Sequence, residues 1–224
     1  RKTESLEAFE RLIDIIDTLR SPGGCPWDRK QTPESLKPYI VEEAYEVLDA
    51  IDGGNPDDIK EELGDLLLQI MLQAQIAFEN EDFHVGHVAQ GLSDKMVQRH
   101  PHVFGNTEVD DADEVLSNWE KIKATEKSRR GLFDGLPAAL PGLLKAFRMG
   151  QKAKRVGFDW PDTESVRSKV DEELEELDEA AAGGNPEEIE HEVGDLLFAV
   201  SQWARHLGQD PEESVRKCCD RFQS

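Results

Sequence analysis

Cysteine is scarce. The three present, Cys25, Cys218 and Cys219, form no CxxC pair and no even framework, so free thiols in a reducing cytosol are expected. No apolar run approaches the ~18 residues of a membrane span, and no signal peptide is visible, so the expected location is cytoplasmic with no membrane partner. Positive charge is in deficit: 26 Lys and Arg face 48 Asp and Glu, for a net charge of −22. So acidic a surface repels phosphate backbones, which argues against nucleic-acid binding. A triphosphate would likewise need a metal to carry the attraction. The chain begins at Arg1, consistent with an N-terminal trim.

The sequence does contain an internal repeat. Val41–Leu67 (VEEAYEVLDAIDGGNPDDIKEELGDLL) returns at an offset of 130 as Asp171–Leu197 (DEELEELDEAAAGGNPEEIEHEVGDLL), with 14 of 27 positions identical and no gap. A repeat sets the architecture before any other signal. Glu42, Glu43 and Glu46 match Glu172, Glu173 and Glu176, and Glu62 and Asp65 match Glu192 and Asp195. GGNP is kept letter for letter, while Tyr45 and Lys60 have become Glu175 and Glu190.

A spacing of three puts Glu43 with Glu46, and Glu62 with Asp65, on one helix face a turn apart. GGNP stops one helix with glycine and starts the next where proline is tolerated. Each copy therefore predicts a helix, a tight turn and an antiparallel helix. Val47, Leu48, Ile51, Ile59, Leu63, Leu66 and Leu67 recur at helical spacing, which predicts a common core between the two helices. Four carboxylates meeting across the pair cannot all stay charged without a cation. Oxygen ligands without His or Cys select Mg²⁺, Mn²⁺ or Ca²⁺, and Mg²⁺ is commonly completed by substrate phosphates. Glutamate-rich helices are usually solvated faces. Here the same acidic positions are held twice while their neighbours drift, which favours metal. The partner position of a di-iron Glu-x-x-His pair holds Asp65 and Asp195, which excludes that class.

These residues resemble the MazG family of nucleoside triphosphate pyrophosphohydrolases, whose motif is EExxE, a spacer, then ExxD. GCPWD (Gly24–Asp28), Gln31-Thr32, RHPHVFG (Arg99–Gly105), WEKIK (Trp119–Lys123) and VGFDW (Val156–Trp160) resemble tandem-domain members. The resemblance implies an all-α fold of two tandem MazG-like domains, 1–130 and 131–224, with four-helix-bundle-like packing. It also implies Mg²⁺-dependent hydrolysis of a nucleoside triphosphate to monophosphate and pyrophosphate, in nucleotide-pool control or house-cleaning. The expected metal ligands are Glu43, Glu46, Glu62, Asp65, Glu173, Glu176, Glu192 and Asp195, for Mg²⁺ with Mn²⁺ as the other choice. No nucleophilic Ser, Cys or His is shared by the copies, so water is the expected nucleophile. Glu42 and Glu172, one turn from Glu46 and Glu176, are the candidate bases.

Helices are expected over 34–52, 56–80, 83–99, 113–127, 143–156, 164–182 and 186–207, with a last one from Pro211. His100 and His102 are expected in a loop, and 131–141 reads as a linker. Lys95 and Arg99, one turn apart, are candidate triphosphate ligands, and Trp119 with Lys123 suits a nucleotide. Lys169 and Arg221 are the candidates in copy two. Trp27 and Trp160 are candidates for base discrimination. Asp94-Lys95 matches Asp220-Arg221, and a match for Arg99 would fall at position 225, so the second copy is expected to be truncated. The resemblance points to the second copy as the main catalytic one, and self-comparison to the first as the more complete. Two helices per motif make half a bundle, so a homodimer is expected. The alternative is a helical interaction protein that binds metal without catalysis.

Overall fold

GGNP builds the same device twice. In the computed structural model, the helix α2 (Lys37–Gly53) ends at Gly54, whose φ of 71° is the left-handed conformation that glycine adopts without a Cβ penalty. Asn55 then caps α3 (Pro56–Glu79): its side chain accepts from Asp57 N at 3.1 Å and donates to Asp58 Oδ1 at 2.8 Å. Gly184, at φ 72°, and Asn185 repeat this, accepting from Glu187 N at 3.1 Å and donating to Glu188 Oε1 at 2.8 Å.

The structure describes residues 1–109, 111, 114, 115, 118, 119, 122 and 131–223. Among these every regular element is helical and no strand is present. The chain divides into two compact units, Arg1–Ile122 and Lys123–Ser224.

In the first unit α1 (Lys2–Arg20) packs on α3, and α4 (Val85–Arg99) packs on α3 in turn. The core is Ile16, Leu36, Met71, Leu72 and Ile76, so it sits against the C-terminal half of α3. Arg20, whose side chain is 5% exposed, locks the entry loop: it pairs with Glu79 at 2.7 Å and donates to the carbonyls of Asp28 and Gln31. Of the apolar residues expected in the hairpin core, Val47 is buried and Ile59, Leu66 and Leu67 are half-buried, whereas Leu48, Ile51 and Leu63 are exposed. The core expectation fails for those three because α1 packs against the other end of α3.

Some local expectations also shift, among them the start of α4, at Val85 rather than 83. α2 starts at Lys37 rather than 34, because Thr32 and Ser35 exchange side-chain–backbone bonds in a preceding turn. His102 lies in a short helix, α5 (Pro101–Phe104), rather than in a loop. The expected helix 113–127 falls largely outside the described residues.

In the second unit α6 (Gly142–Arg155) and α7 (Thr163–Gly183) both pack on α8 (Pro186–His206), and α9 (Pro211–Gln223) closes against α6 and α8. The α6–α8 seam is polar. Ser201 Oγ donates to Leu143 O at 3.1 Å and Gln202 Nε2 to Ala146 O at 2.7 Å. Gly150 permits this approach, since a Cβ there would lie 1.8 Å from Gln202 Oε1. Beyond the seam, Arg205 forks onto Asp159 at 2.5 and 3.0 Å, and His206 Nε2 lies 3.1 Å from the same carboxylate.

Candidate functional site

Each helix hairpin brings its carboxylates together across the pair. In copy one, α2 supplies Glu43 and Glu46 and α3 supplies Glu62 and Asp65. Carboxylate oxygens of Glu43, Glu62 and Asp65 lie within 4.8 Å of one another, with Glu46 one turn along the same helix face. Burial, then the charges of Asp65 and Glu46, push the Glu43 carboxyl above its ordinary value. Partial desolvation, then the charges of Glu46 and Asp65, raise Glu62 as well. Gln69, buried in α3, turns its amide NH₂ toward Glu43 Oε1 at 3.4 Å, while its own Oε1 is buried without a hydrogen-bond partner. Among the described residues no Lys or Arg pairs with any of these four carboxylates.

Copy two carries the matching four carboxylates on its hairpin, grouped differently and with different neighbours. Glu173, Glu176 and Glu192 form one group within 4.8 Å, and Glu192 and Asp195 form another with His191. His191 Nδ1 is 3.3 Å from Glu192 and 3.2 Å from Asp195. Lys169 Nζ sits 2.7 Å from both Glu172 Oε1 and Glu173 Oε1. Those two hydrogen bonds hold the Lys169 ammonium well above the usual lysine range. Desolvation and then the charge of Glu173 raise Glu176.

The donor set suits a hard divalent cation. Copy one offers carboxylate oxygens only, and charges crowded enough to raise Glu43 and Glu62 are what such an ion relieves. The orphaned Gln69 Oε1 beside them could accept from a water bound there.

The other candidate residues are placed less closely. Glu42 is exposed on α2, outside the converging group, and Glu172 is held by Lys169. Lys95 is exposed on α4, and Arg99 stacks its guanidinium 4.9 Å over the Trp119 ring, so two of the expected nucleotide contacts do meet. Arg221 is in the last turn of α9, and Lys123 lies outside the described residues. Trp27 packs edge-on against Tyr39 at 6.0 Å, one turn before Glu43, and Trp160 packs edge-on against His206 at 6.4 Å.

Sequence reasoning missed Gln69, because a glutamine 26 residues from Glu43 carries no periodic signal. It also missed the resting place of Lys169, although the spacing of three and four to Glu172 and Glu173 was there to be used.

The profile of the MazG nucleotide pyrophosphohydrolase domain matches residues 31–104 and 162–224. The chain is 47% identical over 216 residues to the nucleoside triphosphate pyrophosphohydrolase/pyrophosphatase MazG of Thermotoga maritima, spanning 96% of this chain and 82% of that protein. It is 40% identical over 224 residues to the nucleoside triphosphate pyrophosphohydrolase of Escherichia coli K12, spanning 97% of this chain and 85% of that protein.

Proposed function

The chain belongs to the MazG family, and from that premise we propose that it hydrolyses nucleoside triphosphates to the monophosphate and pyrophosphate, using Mg²⁺ or Mn²⁺, in control of the nucleotide pool. The observation that carries this reading is the carboxylate group built twice on the same hairpin. Glu43, Glu46, Glu62 and Asp65 would hold the metal in copy one, and Glu173, Glu176, Glu192 and Asp195 in copy two. A divalent ion so held neutralises phosphate charge and makes bound water a stronger nucleophile near neutral pH. The α-phosphorus is the point of attack, with pyrophosphate leaving. Glu42 and Glu172, on the turn that carries the ligands, accept the proton from the attacking water. Lys95, Arg99, Lys123, Lys169 and Arg221 are the cations offered to the triphosphate. Trp119, with Arg99 on its face, is offered to the nucleoside.

The functional form is a homodimer. Leu48, Ile51, Leu63 and Ile70 in copy one, and Leu174, Val193, Leu197 and Val200 in copy two, are exposed apolar residues on the hairpins and need covering. Sedimentation equilibrium should give twice the chain mass, and a monomer at micromolar concentration would refute this part.

The activity test is chromatography of the products from each nucleoside triphosphate, with Mg²⁺ and with EDTA. Monophosphate and pyrophosphate in Mg²⁺ alone are expected. Diphosphate and orthophosphate would refute attack at the α-phosphorus.

A further inference from the structure

The two copies give their most enclosed metal-site glutamate a different partner. In copy one Glu43 receives a neutral amide, Gln69 Nε2 at 3.4 Å. At the matching place in copy two stands Ala199, which has nothing to donate, and Glu173 is instead met by the Lys169 ammonium at 2.7 Å. The repeat position of Lys169 is Tyr39 in copy one. The Glu173 side chain is only 7% exposed while that of Lys169 is 35% exposed, so water reaches the pair from the lysine side alone. Among the described residues one copy thus has no ammonium or guanidinium on its carboxylates, and the other carries one from within.

Building on the reading of both groups as metal sites, we infer that they are not equivalent: Lys169 is a resident cation that a metal ion must displace from copy two, whereas copy one has no such competitor and loads first. The carboxylates of copy one repel one another with no cation paired to them among the described residues, so an incoming divalent ion has no ammonium to displace. In copy two the same ion must break the contact between Lys169 and Glu173, leaving the ammonium with Glu172 as its one carboxylate partner. A bound triphosphate replaces the lost Glu173 partner, since a lysine one turn from the ligands can pass from a carboxylate to a phosphate oxygen. Metal and nucleotide therefore load copy two cooperatively, and by linkage each strengthens the other. Copy one takes metal without nucleotide.

The test uses Mn²⁺ as probe on the full chain without nucleotide, with free Mn²⁺ followed by electron paramagnetic resonance. Two classes of site are expected, the tighter lost in Glu62→Gln and the weaker in Glu192→Gln. Lys169→Met should tighten the weaker class about tenfold, a change of about 1.4 kcal/mol, and leave the tighter one unchanged. Lys169→Arg, which keeps a cation in place, should leave both unchanged. Tyr39→Lys should weaken the tighter class by a similar factor. A nucleoside triphosphate with a methylene between its α- and β-phosphorus should tighten the weaker class in the native chain and much less in Lys169→Met. One class of equal sites, or a weaker class indifferent to Lys169→Met, overturns the inference while the metal sites stand. Absence of any Mn²⁺ binding sensitive to Glu62→Gln or Glu192→Gln overturns the metal reading itself, and this inference with it.

Discussion

Replacing Asp159 by asparagine removes the anion at the centre of the second unit's polar clamp. Hydrogen bonds from Arg205 hold the Asp159 carboxyl at about 2, against an ordinary value of 3.8, with His206 adding to the effect. At about 1.4 kcal/mol per unit, that shift is worth about 2 kcal/mol of stability at neutral pH. Asp159 is 14% and Arg205 6% exposed, so solvent screens little of it. The variant also leaves a buried guanidinium facing a neutral amide, which places about 2 kcal/mol at the low end of the expected loss. For a chain of this size each kcal/mol moves the melting temperature by about 2–4 °C, so a fall of about 4–8 °C is expected. The assay is thermal unfolding by circular dichroism at pH 7, with denaturant titrations at lower pH. A depressed carboxylate stabilises the fold fully above its unfolded pKa, and that contribution is lost as pH falls through the folded one. The gap between native chain and variant should therefore persist above about pH 4 and close between about 4 and 2. A variant that melts within about 1 °C of the native chain at pH 7, or a gap that ignores pH, would refute the reasoning.

Three further outcomes are expected. Gly150→Ala would put a Cβ 1.8 Å from Gln202 Oε1 and 2.7 Å from Arg205 Nε, so denaturant unfolding should show a loss of about 2–3 kcal/mol from overpacking and broken buried hydrogen bonds. Asn55→Ala and Asn185→Ala should each cost about 1 kcal/mol by removing a helix cap, and equal losses in the two copies would show that both turns work alike. Glu43→Gln should not lower, and should slightly raise, the melting temperature in EDTA, because burial and the charges of Asp65 and Glu46 penalise its ionised form. The native chain in EDTA should accordingly gain stability as pH falls toward that raised pKa, more than the variant does. Mn²⁺ should stabilise the native chain and do so less in the variant.

The sequence by itself determined the hairpins, their turns and which carboxylates share a face. Those features are local: glycine at a left-handed position, asparagine at a cap, proline at a first turn and a spacing of three all act within a few residues. The sequence also carried the family resemblance, which the profile and the relatives bear out. Only the tertiary structure decided what stands beside the carboxylates and what stays uncovered. Arg20 meets Glu79 from 59 residues away, and Gln202 reaches Ala146 across 56. Leu48 and Leu63 follow the same periodicity as core residues, yet they are exposed, since periodicity marks a face and not what covers it. Lys169 shows the division most clearly. Its spacing allowed a pair with Glu172 and Glu173, and its charge allowed a phosphate. Its resting place on the two carboxylates was settled only when the helix was formed and Glu173 buried, in a copy where Ala199 stands at the repeat position of Gln69.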